Sequence, residues 1–496
     1  MQPDSPHSGP AAVHFSSRWA MLATALGIAI GTGNIWRFPR VAAANGGGVF
    51  ILLWMVFLFL WSIPLLTAES AIGRWSRKGT LGSFQALAGR SGLWMGGFVA
   101  LVTTGIMSYY SVVTGWCFKY FSSSLTGAVN AGTGPEYWHD FAGSAQAEAF
   151  HLAAALVTGL IVVLGVRIGI ERTARVFIPV LGAILVYATL RALFLPGSFE
   201  GVKFLFHFDP ADFTRPRIYL EALSQSAWST GAGWGLLLTY SVYSRSSEPV
   251  VGNSLIMGLG NNTASLLAAL AVIPTVFALL PAGEAVQVAQ ATGENSTGLT
   301  FIWIPRLLGG TGGGQLMLAL FFLALSLAAL SSLISMFELA VRNLIDLGLR
   351  RRSATAAVAA FIALAGSPSA LNSTFFDNQD WVWGLGLLVN GLFFCLAVNR
   401  FGAGRFREQM VNIRSSKDIR LGKVFEPLIS RVIPFQFVLL LGWWFYRSVG
   451  WDPANWWNPF STFSIGSCLA QWGLAAVLMI VLAPRLAGLL GRRTAR

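Results

Sequence analysis

Apolar runs recur twelve times along this 496-residue chain, near 19–43, 49–73, 93–122, 149–166, 174–195, 219–243, 252–281, 314–341, 354–371, 381–399, 432–448 and 464–484. Each approaches the roughly 20 residues a helix needs to cross a bilayer. Alternating strands are not evident, so a membrane barrel is excluded and helices remain the way to satisfy the backbone in lipid. Hydrophobic types make up 54% of the chain and charged types only 11%, where a soluble domain carries about 25% charge. A soluble enzyme, a disordered chain and a disulfide scaffold are thereby ruled out. The expected fold class is an all-α polytopic membrane protein with twelve transmembrane helices.

The net charge of +13 fits Lys and Arg held in cytoplasmic loops better than a nucleic-acid surface. An even number of spans puts both termini on one side. Placing them in the cytoplasm leaves Arg74, Arg77, Lys78, Arg90, Arg167, Arg172, Arg175, Arg350, Arg351, Arg352 and a dense set from Arg400 to Arg431 inside, whereas the loop at 123–148 has no Lys or Arg. A multi-pass protein of the inner (plasma) membrane follows, with no cleavable signal expected. The layout reads 1–18 as a cytoplasmic tail, 19–196 as helices one to five, 197–218 as an outer loop and 219–400 as helices six to ten. A basic cytoplasmic loop at 401–431, helices eleven and twelve at 432–485 and a tail at 486–496 complete it. Cys117, Cys395 and Cys468 lie far apart in apolar runs and read as packing residues. The five His suggest no catalytic pair, and no enzyme is expected.

Two spans carry glycine clusters. The first reads Gly27-Ile28-Ala29-Ile30-Gly31-Thr32-Gly33-Asn34 and the sixth Trp228-Ser229-Thr230-Gly231-Ala232-Gly233-Trp234-Gly235. Glycine weakens a helix and lets backbone approach a ligand. Interruptions at matching positions of two five-helix halves point to a secondary transporter built from an inverted repeat, with its site at the membrane midplane.

Gly33-Asn34-Ile35-Trp36-Arg37-Phe38-Pro39, followed by Asn45-Gly46-Gly47-Gly48, resembles the signature of neurotransmitter:sodium symporters. The sixth-span cluster, Tyr109-Tyr110 and Ser331-Ser332 fit the same family, and the resemblance runs from about residue 15 to 485. It implies the leucine-transporter-like fold, a 5+5 inverted repeat with unwound first and sixth helices plus two appended helices. It also implies sodium-driven symport of an amino acid or related small molecule.

The same resemblance implies two sodium sites. One would use the carbonyl of Ala29, the side chains of Asn34 and Asn261, Ser229 and the substrate carboxylate. The other would use carbonyls of Gly27, Ile30 and Ala328 with the hydroxyls of Ser331 and Ser332. The substrate carboxylate would meet the amides of Thr32 and Gly33 and the Tyr110 hydroxyl, and its ammonium the carbonyls of Ala29, Trp228, Ser229 and Gly231. Amine carriers of the family place Asp at the position of Gly31, so this substrate is expected to bring its own carboxylate. Ile106, Trp228, Gly231, Trp234, Ser332, Ser335 and Met336 would line an apolar side-chain pocket.

Arg37 and Asp380 match an outer ion-pair gate, and Tyr243 and Asp346 match inner gate positions. The usual inner Arg is Ala12 here and the neighbouring Trp is Phe15, with Arg18 as the substitute at hand. Glu69 would brace the sixth span by resemblance. Glu338, Arg342 and Asp346 recur at i, i+4, i+8 and suggest an ion-pair ladder. A chloride set would comprise Trp54, Gln225, Ser229, Asn261 and Ser265, with Trp54 where the family has Tyr. A proton-coupled transporter or exchanger of the same fold, and a non-transporting amino-acid sensor, are the alternative functions. The expected partners are a small amino-acid substrate and the lipid bilayer, with no nucleic acid.

Overall fold

The computed structural model describes residues 14–291, 298–413 and 417–494. Among the described residues ten helices are long and apolar enough to cross a bilayer: Gly48–Ser76, Arg90–Leu125, Ala145–Val163, Val166–Leu193, Val250–Leu279, Gly314–Asp346, Arg351–Leu371, Ser373–Phe401, Phe425–Trp451 and Ile465–Gly491. The first expected span is a bent pair, Arg18–Ala29 and Gly33–Ala44, with a 53° change of direction between them. The sixth is two shorter pieces, Pro216–Ser229 and Leu236–Ser241. Every apolar run of the sequence thus contains a helix or a broken helix, and all the described regular structure is helical.

Local chemistry fixes several helix starts. Ser17 caps the first span by accepting from the Ala20 amide at 3.2 Å, Ser144 caps the fourth, and Asn372 caps the tenth through the Phe375 amide at 2.8 Å. Each satisfies an amide that the helix itself leaves unpaired. The seventh span is capped from a distance: Asp418 accepts from the amides of Val251 and Gly252 at 2.8 and 3.0 Å. The expected outer loop at 197–218 holds a helix, Ser198–Leu205, and a short turn of 3-10 helix, Pro210–Thr214.

The spans sort into a centre and a rim. The eighth, tenth and third have 83%, 78% and 72% of their apolar windows buried, the fifth and eleventh 28%, and the twelfth 17%. The eighth packs along the third, and both broken spans lie against the eighth. Leu and Val left exposed on the rim spans, such as Leu474, Val477 and Val481, are matched to lipid tails. The three cysteines are free and buried, as packing residues should be.

Candidate functional site

The two breaks have different backbones. In the first span the helix closes at Ala29, Ile30 leaves helical geometry at φ −82° and ψ 86°, and helix resumes at Gly33. The carbonyl of Ala29 accepts from the Gly31 amide at 3.0 Å, so one oxygen expected at the first ion site is already engaged within the break. In the sixth span Gly231, Gly233 and Gly235 take φ of 70°, 87° and 79°, a region costly for residues with a Cβ. Glu69, fully buried, accepts from the amides of Gly233 at 2.6 Å and Leu238 at 3.3 Å. A carboxylate in a membrane span is expensive unless paired. Here it satisfies amides that the missing helical turn leaves without partners.

Around the first break the polar groups converge in two clusters. In one, Asn34 Nδ2 donates to Asn261 Oδ1 at 2.7 Å, to the Asn261 carbonyl at 3.2 Å and to Ser265 Oγ at 2.8 Å. Asn261 Nδ2 in turn donates to Ser229 Oγ at 3.2 Å. This joins the first, sixth and seventh spans through the residues expected there. In the other cluster, Ser331 Oγ lies 3.0 Å from the carbonyls of both Gly27 and Ala328. Ser332 points elsewhere: its hydroxyl donates to the Ile28 carbonyl at 3.4 Å, so the adjacent pair divides between two neighbours. Ile30 makes no side of either cluster by hydrogen bonding, although its amide closes the helix onto Leu26 at 2.8 Å. Among the described residues no group of three His, Cys, Asp or Glu is assembled. The oxygens on offer are neutral ones, which suit a weakly held monovalent cation better than a transition metal.

Between the clusters, the Thr32 amide donates to Tyr110 Oη at 3.3 Å and the Thr32 hydroxyl lies 3.1 Å from the same oxygen. The half-helix Gly33–Ala44 starts here, so its first amides face an anion-favouring site. These groups open onto a cavity of about 290 Å³. Ala29, Thr32, Gly33, Asn34, Ile106, Tyr110, Trp228, Ser229, Gly231, Trp234, Ser332 and Met336 all line it. Ser335 does not: its hydroxyl donates to the Ser331 carbonyl at 3.0 Å and accepts from Tyr240 Oη at 3.0 Å.

The cavity continues past Arg37 and Asp380 to Trp444, Trp451 and Phe463, at the adjoining ends of the eleventh and twelfth spans. The expected Arg37–Asp380 ion pair is absent from the pairs formed among the described residues. The Arg37 guanidinium instead lies over the Trp228 ring, 4.8 Å from its centroid, and Asp380 faces Tyr109. Both residues line the cavity, and without their ion pair this end is not closed by the expected gate.

The opposite end is shut. Phe15 is buried, its ring edge-on to Tyr240 and Tyr243 at 6.2 and 6.4 Å, and its amide donates to the Tyr243 carbonyl at 3.1 Å. The ladder expected along the eighth span divides. Arg342 pairs with Asp346 at 2.7 Å, but Glu338 is held by Arg351 at 2.7 and 2.8 Å and accepts from the Tyr243 hydroxyl at 2.7 Å. A side chain from the start of the ninth span reaches Glu338 on its open side, which sequence spacing along one helix does not register. Arg18 does not replace the usual inner Arg: it is exposed and donates to Asn253 Oδ1 at 3.1 Å. Ala12 lies outside the described residues. The segment before the first span is instead held by Glu171, which accepts from the Ser16 amide at 2.9 Å and from the Ser16 hydroxyl and Arg175. Sequence reasoning missed Glu171 and Arg351. Glu171 was a lone acid among basic loop residues, and Arg351 sat in an Arg run that served only to orient the chain.

Of the expected chloride set, Ser229 and Asn261 belong to the first cluster and Ser265 accepts from Asn34. Trp54 Nε1 and Gln225 Oε1 are buried and make no hydrogen bond among the described residues.

A family model described as the Sodium:neurotransmitter symporter family matches residues 13–151 and 140–487. An uncharacterized sodium-dependent transporter of Bacillus subtilis is 32% identical over 399 residues, which covers 76% of this chain and 85% of its own length. One from Methanocaldococcus jannaschii is 28% identical over 438 residues, covering 85% and 88%. The crystal structure of MhsT in complex with L-phenylalanine superposes with a TM-score of 0.76 at 27% identity, over 86% of this chain and 98% of that one. The broken spans, the cavity between them and these likenesses agree: this chain belongs to the sodium:neurotransmitter symporter family, a family of sodium-dependent multi-pass membrane transporters and not of enzymes.

Proposed function

We propose that the protein couples inward sodium movement to uptake of an apolar amino acid by alternating access. The observation that carries this reading is one cavity lined by Asn34 and Ser229 of the first neutral-oxygen cluster and by the Thr32–Tyr110 contact, with the second cluster joining Ser331 to the Gly27 carbonyl of the same broken helix. Sodium would occupy the Asn34–Asn261–Ser229 cluster with Ala29, and the Gly27–Ala328–Ser331 cluster, where the Ile30 carbonyl and the Ser332 hydroxyl would have to turn in to complete the shell. The substrate carboxylate would bind the amides of Thr32 and Gly33 and the Tyr110 hydroxyl, and complete the first sodium shell. A cation among uncharged ligands gains from that carboxylate, and the carboxylate gains from the cation. The coupling is therefore reciprocal.

Gly31 supports a substrate that carries its own acid. A Cβ placed there would lie 3.0 Å from Ser332 Oγ and 3.2 Å from Tyr110 Oη, so a side chain at this position would crowd two hydroxyls of the site. Ile106, Trp228, Trp234 and Met336 supply an apolar wall, and MhsT, the structural relative, was crystallised with L-phenylalanine. Arg37 and Asp380 would close the open end over the bound substrate, while the Phe15–Tyr243 contact and the Arg342–Asp346 pair would part to release it. Both termini would face the cytoplasm of the cell that holds it in its inner or plasma membrane. Trp54 Nε1, unpartnered, and Ser265 would serve a chloride ion in the same reading.

A thermal-shift screen of the purified protein against the common amino acids, in sodium and in potassium, tests this. An apolar amino acid should raise the melting temperature in sodium and leave it unchanged in potassium, because a ligand that binds only the folded state stabilises it by mass action. Equal shifts in both salts would refute the coupling, and shifts that follow pH instead of sodium would favour the proton-driven alternative.

A further inference from the structure

The loop at 452–464, which joins the last two spans at the open end of the cavity, carries Trp456, Trp457, Phe460 and Phe463 and a single charge, Asp452. Its aromatics are turned outward: Trp457 is 58% and Phe460 95% exposed. Water is a poor medium for such side chains, and a large exposed apolar patch marks a contact surface. The loop is not slack. Ile465 donates to the Trp456 carbonyl at 2.8 Å and Ser461 to the Asn458 carbonyl at 3.1 Å, while Asn458 Oδ1 accepts from the Phe460 amide at 3.0 Å.

Three features point to the bilayer as the occupant. Exposed apolar side chains run along the eleventh and twelfth spans up to the loop: Val438, Leu439, Tyr446 and Trp451 on one, and Val477, Leu474 and Leu469 on the other. The patch lies where those spans end, and at the end of a span Trp and Tyr concentrate at the membrane–water boundary because the ring is apolar and the indole N–H polar. One turn inside, Tyr446 is 73% exposed, and the Arg447 guanidinium covers the Trp443 and Trp451 rings at 5.6 and 5.5 Å, an arrangement suited to a phosphate-rich layer.

The loop's other edge belongs to the cavity. Trp451 and Phe463 line it. Asn378 Nδ2 donates to the Thr462 carbonyl at 2.9 Å and Trp381 Nε1 to the Ser464 carbonyl at 3.0 Å. The loop thus grips the tenth span on both sides of Asp380.

We propose that residues 452–464 form a headgroup-layer anchor in which Trp456, Trp457 and Phe460 enter the lipid and thereby fix the cavity wall beside Asp380. The test uses the full-length protein in phosphatidylcholine–phosphatidylglycerol vesicles, with Phe460→Cys carrying an environment-sensitive fluorophore and Glu136→Cys, exposed on the short helix Pro135–Phe141 between the third and fourth spans, as reference. The native cysteines are buried and need not be removed. Quenching of the label at 460 by headgroup-labelled lipid at least threefold above the reference, with iodide quenching correspondingly weaker, is the expected result. In a Trp456→Ser/Trp457→Ser background the lipid quenching should fall by half or more. Iodide quenching equal to the reference would overturn the anchor, as would protection from both quenchers, which would mean that another protein surface covers the loop. An unchanged depth in the double-serine background would also overturn it.

Discussion

The first and sixth spans are both interrupted at glycine clusters, yet the glycines do different work. In the sixth span they set the backbone: three residues at positive φ undo a turn, and Glu69 catches the amides released. In the first span no glycine of the break has positive φ. There the absence of a side chain matters, because Gly31 faces Ser332 and Tyr110 and Gly27 faces Ser331 Cβ at 3.4 Å. One cluster makes an unusual backbone, the other makes room around an ordinary one. The braced sixth break is thus a rigid frame, and the first break is the surface that meets the ligand.

Substitution separates the two cases. The largest effect is expected at the brace. Glu69→Ala leaves two buried amides without acceptors, each worth about 1–3 kcal/mol, so the protein should lose several degrees of melting temperature and Glu69→Gln should recover part of that. A Glu69→Ala protein as stable as the parent would show that the break holds itself open. Gly233→Ala comes next. It forces a Cβ into the left-handed region, at roughly 1–2 kcal/mol, and sets it 3.0 Å from the Gly391 backbone. Its cost should appear as stability, with sodium and substrate affinities in the surviving protein close to those of the parent. The smallest stability change belongs to the first break, where two neighbouring positions give opposite outcomes. Gly31→Ala should melt within about 2 kcal/mol of the parent, since only hydroxyls need move, but weaken substrate binding at least tenfold. Gly33→Ala has nothing within 4 Å of its Cβ and should leave stability within about 1 kcal/mol, with binding little changed. Equal binding losses at 31 and 33, measured by titration, would mean that helix propensity and not space governs this break.

The inner closure shows where spacing misleads. Glu338, Arg342 and Asp346 share a helix face, and the i, i+4 step between the last two is indeed an ion pair. Glu338 is nevertheless held by Arg351, 13 positions away and on the next helix. Nearness along one helix is a local property, whereas a partner delivered by a turn of the chain depends on how two helices dock. Glu171 and Ser16 repeat the lesson at a separation of 155 positions. The same holds at the open end: Arg37 and Asp380 are both at the cavity, but their separation is set by the conformation of the whole bundle.

What the sequence determined by itself was the inventory: twelve apolar segments, two of them broken at the stated glycines, the small and hydroxyl residues near those breaks, and an excess of basic loops. Each of these follows from the need to satisfy every backbone group in lipid, which acts on one segment at a time. Only the tertiary structure decided which spans are central and which face lipid. The eighth and twelfth spans are both strongly apolar, yet 83% of one window and 17% of the other is buried. Hydropathy cannot distinguish them, because a lipid tail is as apolar as a neighbouring Leu side chain. The same limit hid the partners of Glu338 and Glu171 and the division of Ser331 from Ser332, which depend on helix docking and not on the order of residues along any one helix.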